Sequence, residues 1–205
     1  MSSNKHNIAA FKKAANFARA KGLFHSRDFE KARFPREYLR RLIQAGTVRQ
    51  ITRGLYEAHD FDPDENLTLL EAALVVPRGV VCFTSALLFH QIGTQWPRQV
   101  WLAVPRGSRF PRVKRPKVRF CEFSKEAYSH GIEEHKVAGG VVRVYSPAKT
   151  VADCFKYRNK YGLDVAVEAI REGWNERKFT LAELVEAAKI CRVDKVIHPY
   201  IEMLP

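Results

Sequence analysis

Gly46 and Gly54 limit what this chain can fold into more than any other pair of residues. They bracket GTVRQITRG, which LYEA follows, and two short runs facing each other across Arg53-Gly54 read as a small hairpin. Val48 and Ile51 on one run, with Leu55 and Tyr56 on the other, supply its buried sides. Arginines at 49 and 53 then sit on an element with little apolar surface to spare.

Three helical segments precede that hairpin. Between Lys5 and Ala20 the residues Ile8, Phe11, Ala14 or Ala15, and Ala18 recur at helical spacing, and Gly22 ends the run. Ser26 reads as the N-cap of a short second helix over 27–32, with Asp28 in its first turn. Phe34-Pro35 breaks that helix, and Pro35 suits the first position of a third helix reaching Gln44, which Gly46 closes as a left-handed cap. Leu39, Leu42 and Ile43 are expected to share its buried face, leaving Arg36, Glu37, Arg40, Arg41 and Gln44 to point elsewhere.

Helix, helix, helix, hairpin is the order of a winged helix-turn-helix. Arginine can fork onto guanine and glutamine can pair with adenine in a major groove. A hairpin beside such a helix reaches phosphates or the minor groove. Arg36, Arg40, Arg41, Gln44, Arg49 and Arg53 are therefore the expected DNA-binding residues, with Arg53 setting affinity and register and Arg36, Arg40 and Gln44 setting sequence preference.

The charge distribution supports a polyanionic partner. The chain of 205 residues carries a formal charge of +13. Residues 1–60 hold 13 basic and 5 acidic side chains, and residues 98–119 hold 8 basic and none acidic. The second block overlaps a segment between two expected strands, Pro105 to Pro116, that carries Arg106, Arg109, Arg112, Lys114 and Arg115. Contact with DNA, contact with an acidic partner and plain solubility are all compatible with that loop.

A boundary is expected near residue 60, at Asp62-Pro63-Asp64, giving a DNA-binding domain over 1–60 and a larger α+β domain over 61–205. The second part reads as a helix over 66–74, a helix capped by Thr84-Ser85, strands over 99–104 and 117–123, and a hairpin over 133–145 turning at Gly139-Gly140. A helical layer follows. It comprises a helix opened by Ser146-Pro147 that carries Val151, Cys154 and Phe155, a helix over 163–174 with Val167, Ile170 and Trp174 inward, a helix opened by the capping box Thr180 to Glu183, and a short final helix with Ile197, Ile201 and Leu204.

Signals for catalysis are absent. There is no GxxxxGK[ST], GxGxxG, HExxH or GxSxG pattern. His130 and His135 flank Glu133 and Glu134 on an alternating pattern that reads as solvated charge. Asp153 with Lys156 and Arg158 lacks the further carboxylates a metal-dependent nuclease needs, and a structural salt bridge is expected there. The cysteines Cys82, Cys121, Cys154 and Cys191 are widely spaced and read as structural thiols. No metal, cofactor or enzymatic activity is expected. No apolar run approaches the ~20 residues that cross a bilayer, and MSSNKHNIAA lacks a secretory pattern, so a cytoplasmic protein with no membrane partner is expected.

FPREYLRRLIQAGTVRQITRGLYEA, TSALLFHQIGTQWPRQVWLAVPRG and GGVVRVYSPAKTVADCFKYRNKYGLDVAVEAI together resemble the AbiEi-type antitoxin and transcriptional regulator family of type IV toxin–antitoxin systems. The resemblance implies a winged helix that binds inverted repeats in double-stranded DNA at the promoter of its own operon. It also implies a C-terminal domain that counters a nucleotidyltransferase-like toxin without requiring a stable complex. Tyr157, Arg158 and Asn159 in FKYRNKYG are the candidates for that antitoxic role, and a helix C-terminus with a stacked aromatic and solvated charges is the simpler account of them. A stand-alone winged-helix transcription factor and a nucleic-acid-processing enzyme are the alternatives.

Overall fold

The computed structural model describes residues 2–60, 66–113, 115–137 and 140–205. The chain is α+β and divides into two compact units, one of Met1–Pro77 with Lys136–Val141 and one of Arg78–His135 with Val142–Pro205. The expected linker at Asp62-Pro63-Asp64 lies outside the described residues.

The first unit runs α1 (Ser2–Lys21), β1 (Leu23–His25), α2 (Ser26–Lys31), α3 (Arg36–Gln44), β2 (Val48–Thr52), β3 (Leu55–Ala58) and α4 (Leu67–Val75). The strands form an antiparallel sheet in the order β1-β3-β2, the arrangement of a winged helix-turn-helix. Ala14 and Ala18 of α1 let the helix approach Phe24, Phe29, Leu39, Leu42 and Val48 closely, and Phe11, Phe17, Phe34, Tyr38 and Tyr56 close the rim of this core. Phe29 and Phe34 meet at 5.1 Å and Phe17 lies 5.9 Å from Phe29, so aromatic contacts knit α1 to the α2–α3 turn.

Three local expectations are corrected. Strand β1 was not expected: three residues give no periodicity, and Leu23 to His25 become a strand only by pairing with Glu57 to Leu55. The N-cap of α2 is His25, one residue before Ser26; its ring accepts from the Arg27 amide while Asp28 caps the His25 amide at 3.1 Å. Ile43 is not buried. It is 38% exposed, because Tyr38, Leu39 and Leu42 form the inward arc of α3.

The end of α3 follows the expectation for Gly46. Its φ is +67°, and the Gly46 and Thr47 amides donate back to the Ile43 and Leu42 carbonyls. Both orphan carbonyls are thereby satisfied, and the chain turns directly into the hairpin.

The second unit holds β4 (Val80–Val81), α5 (Phe83–Phe89), β5 (Val100–Pro105), β6 (Val118–Phe123), α6 (Lys125–Ser129), most of β7 (Ile132–Val137) and of β8 (Gly140–Tyr145), whose adjoining ends count with the first unit, α7 (Pro147–Lys156), α8 (Arg158–Tyr161), α9 (Leu163–Asn175), α10 (Leu181–Cys191) and α11 (Asp194–Ile201). Its sheet is mixed, in the order β6-β5-β4-β8-β7, with β5 parallel to β6, β4 antiparallel to β5 and β4 parallel to β8. Of the expected turn at Gly139-Gly140, Gly139 lies outside the described residues and Gly140 opens β8.

The C-terminal helices supply the other side of the core, with Val151, Phe155, Ala169, Ile170, Leu184 and Ala188 among its buried members. Ser146 caps α7 ahead of Pro147, and Thr180 and Glu183 form the expected capping box of α10. Val167 is only half-buried; Val165, Ala166, Ala169, Ile170 and Gly173 form the inward face of α9. Helix α5 starts at Phe83 behind Cys82, ahead of the expected cap at Thr84-Ser85.

Within this core Lys149 and Asp153 are both fully buried and ion-paired at 2.5 Å. The Lys149 ammonium also lies 4.2 Å from the Tyr145 ring centroid, and Cys191 Sγ donates to Asp153 at 3.3 Å. Burial pushes the Asp153 carboxyl above its ordinary range, against the pull of Lys149. Asp153 thus has a structural partner, as expected, but it is Lys149 one turn earlier and not Lys156 or Arg158.

Candidate nucleic-acid interface

Helix α3 has a narrow buried arc, and that sets what it offers outward. With Leu39 and Leu42 inward, the side chains of Arg36, Glu37, Arg40, Ile43 and Gln44 are exposed along the opposite face. Arg36, Arg40 and Gln44 succeed one another at intervals of four residues, so they form one row along the helix.

Arg41 stands apart from that row. Its guanidinium lies 4.4 Å from the Phe11 ring centroid and 5.6 Å from that of Tyr38, so it is half-buried against α1. Phe11 and Tyr38 themselves meet edge to face at 5.6 Å, which makes Arg41 part of the α1–α3 contact.

Two of the remaining arginines are held by carboxylates. Arg36 Nε pairs with Glu30 of α2, and Arg49 Nε pairs with Glu57 across the hairpin. Arg36 remains 77% exposed, so its free edge still faces solvent. Glu57 is buried, and it fixes the Arg49 side chain along the strand.

The tip of the hairpin is Arg53-Gly54, closed by the pairing of Thr52 with Leu55. Gly54 has φ +82°, and a Cβ there would stand 3.0 Å from the His25 ring. The Ser26 amide donates to the Gly54 carbonyl at 2.8 Å. The turn is thereby pinned to the start of α2, and exposed Arg53 and Arg27 flank this junction. Arg27 is not among the residues expected from sequence to meet DNA.

Residues 13–59 match the family model described as transcriptional regulator, AbiEi antitoxin. The resemblance read from the sequence is borne out over that segment, which spans the C-terminal part of α1, all of α2 and α3, and the whole hairpin. The fold is similar to that of the RV2827C protein from Mycobacterium tuberculosis, with a TM-score of 0.51 at 12% identity, over 94% of this chain and 80% of that one. At that identity the likeness is one of fold alone. No curated protein matches the chain.

The residues considered for antitoxicity lie in the second unit. Tyr157 is half-buried, its ring 5.0 Å from Phe83 and 5.9 Å from Phe123. Arg158 donates to the Phe155 carbonyl at 2.9 Å, and Asn159 is exposed on α8. Other charged clusters assemble no metal site: His135 meets Glu133 at 3.1 Å, and no group of His, Cys, Asp and Glu suited to a metal ion occurs among the described residues. The four cysteines are unpaired by disulfides, with Cys82, Cys154 and Cys191 buried. No helix among the described residues is long and apolar enough to cross a membrane.

Proposed function

We propose that this chain is a DNA-binding transcriptional autorepressor and antitoxin of a type IV toxin–antitoxin system, acting in the cytoplasm without catalysing a reaction. It binds inverted repeats in double-stranded DNA at the promoter of its own operon. The observation that carries this reading is the exposed row Arg36, Arg40 and Gln44 on α3, in a unit whose hairpin ends in exposed Arg53. In this reading α3 enters the major groove, with its row on base edges. Arg53 meets the backbone beside it and sets affinity without sequence information.

The match over residues 13–59 supports the regulatory part. The antitoxic part, directed against a nucleotidyltransferase-like toxin without a stable complex being required, is assigned to the second unit. Asn159 and Arg158 are its candidate residues, with Tyr157 in a supporting structural place.

Binding to a promoter fragment and to random-sequence duplex tests the reading. Arg40→Ala weakens promoter binding by about tenfold, within the roughly 1–3 kcal/mol of a bidentate base contact, and barely changes the random duplex. Arg53→Ala weakens both by a similar factor. Equal losses on both DNAs for Arg40→Ala would remove base reading from α3. A second reading, a stand-alone regulator, is favoured by the confinement of the match to residues 13–59. A nucleotidyltransferase gene beside this one, whose toxicity the chain relieves, decides against it.

A further inference from the structure

The geometry points to a second nucleic-acid site, in the loop between β5 and β6, that takes single-stranded nucleic acid by stacking an unpaired base on Phe110. Phe110 is 51% exposed, although nothing on its flanks requires an aromatic residue. Its ring lies parallel to that of Phe120, at a centroid distance of 4.9 Å and an interplanar angle of 5°. One face of Phe110 is thus covered by Phe120 and the stack ends in solvent.

Position and rigidity favour a ligand there. Phe120 belongs to β6, which is an edge strand of its sheet. The start of the loop is tied to β6 by a continuation of the β5–β6 ladder: the Arg106 amide donates to the Phe123 carbonyl at 2.9 Å, and the Gly107 amide to the Glu122 carboxylate at 3.0 Å. Pro105, Pro111 and Pro116 restrict the backbone further. A platform held in place before binding loses little entropy when a ligand arrives.

Charge identifies the ligand. Residues 98–119 hold 8 basic side chains and no acidic one. Arg106, Arg109 and Arg112, which bracket Phe110 in the chain, are exposed. Cores of protein–protein interfaces are depleted in charge, whereas an aromatic face inside a cationic surface is the composition of single-strand sites. In a duplex the base faces are already covered by their neighbours, so a ring presented face-on selects an unpaired strand. Arg119, of the same run, is excluded: it lies 4.5 Å from the Trp101 ring centroid, on the other face of β6 from Phe120.

Fluorescence anisotropy of the full chain with a labelled twelve-nucleotide mixed-sequence strand, its base-free analogue and its duplex tests this. The parent strand binds about tenfold more tightly than the base-free one, within the range for stacking one base on an aromatic ring. Phe110→Ala removes that difference and leaves duplex affinity unchanged; Phe110→Trp retains it. Arg109→Gln with Arg112→Gln weakens the parent and base-free strands alike and flattens the salt dependence. Equal binding of the parent and base-free strands by the unaltered protein would overturn the inference, whether or not any variant folds. Displacement of the strand by poly-glutamate as effectively as by the unlabelled parent strand at matched charge would likewise overturn it, reassigning the loop to an acidic protein. None of these outcomes bears on Arg40, so duplex reading by α3 stands or falls separately.

Discussion

The guanidinium of Arg49 pairs with the carboxylate of Glu57, the residue directly opposite it in the β2–β3 register. Glu57 is 5% exposed while the Arg49 side chain is 66% exposed, so the anion is committed to the fold and the cation reaches the surface. This pair stiffens the hairpin and compensates one of the six cationic or amide groups expected to meet DNA. Arg49→Ala is expected to lower the melting temperature of the first unit by stranding a buried carboxylate. Glu57→Gln keeps an acceptor for Arg49 and removes the charge, so duplex affinity rises several-fold. The slope of log affinity against log salt steepens by up to about one unit as Arg49 becomes available to a phosphate. Titrations at several salt concentrations read this, and an unchanged slope would place Arg49 outside the interface.

Arg41 and Arg40 are neighbours in sequence with different structural roles. Arg41 lies over Phe11 and Tyr38, whereas Arg40 points away from the core. Arg41→Ala is expected to loosen the α1–α3 contact by about 1 kcal/mol, the scale of a partly desolvated cation–π pair. Thermal melting detects that loss. Arg41→Lys recovers less than the full amount, because an ammonium lacks the flat guanidinium surface.

Ile43 shows how far a helical period reaches. Leu39, Leu42 and Ile43 fit a buried stripe, but so do Tyr38, Leu39 and Leu42, and only the position of α1 decides between them. The order of elements was legible because its signals are local: Gly46 at φ +67°, Arg53-Gly54 at the hairpin turn, and the Thr180–Glu183 capping box. Strand β1 was not, since it exists only through pairing with β3, and the His25 cap was not because a histidine ring is an uncommon N-cap beside the serine that follows it. Among the candidate site residues, the row Arg36, Arg40 and Gln44 was readable from spacing. The engagement of Arg41 with Phe11 and of Arg49 with Glu57 depends on tertiary approach that no sequence window contains. Lys149 and Asp153 stand at i and i+4, yet nothing in that spacing told a surface pair from a buried one.

Being exposed on the same face as Arg40 and Gln44, Ile43 yields its own prediction. Ile43→Asp places an anion where α3 would meet the duplex, and it removes little packing. Duplex binding is expected to fall by more than tenfold while the melting temperature moves by no more than a surface substitution does, within about 0.5 kcal/mol. A comparable loss of stability would mean that Ile43 serves the core.

His25 links the first unit to pH. Burial lowers its pKa below the ordinary 6.5, and the nearby Arg27 adds to this. The unfolded chain therefore takes up this proton at a higher pH than the folded one. The stabilisation from neutral His25 is complete above 6.5 and is lost as pH falls through the folded value. His25→Asn retains an N-cap acceptor without a titrating ring. The difference in melting temperature between wild type and this variant is expected to shift in the variant's favour between pH 7.5 and 5.5. His90, also lowered by burial, contributes equally to both proteins and cancels from the comparison.

The buried pair Lys149–Asp153 separates breaking an ion pair from replacing it. Both side chains are 0% exposed, so Lys149→Met leaves a carboxylate without its cation and is expected to cost about 3–5 kcal/mol near neutral pH. Asp153 can escape that cost by taking a proton, to which burial already inclines it. In the Lys149→Met protein the folded state then binds a proton that the unfolded state releases. The deficit should shrink as pH falls from 7 toward 5. Adding Asp153→Leu removes the anion, and the double variant is expected to recover most of the lost stability with little pH dependence. Denaturant unfolding of the three proteins at two pH values measures both effects. A double variant no more stable than Lys149→Met would mean that the pair's contacts with Tyr145 and Cys191, not its charge balance, hold α7 against the sheet and α10.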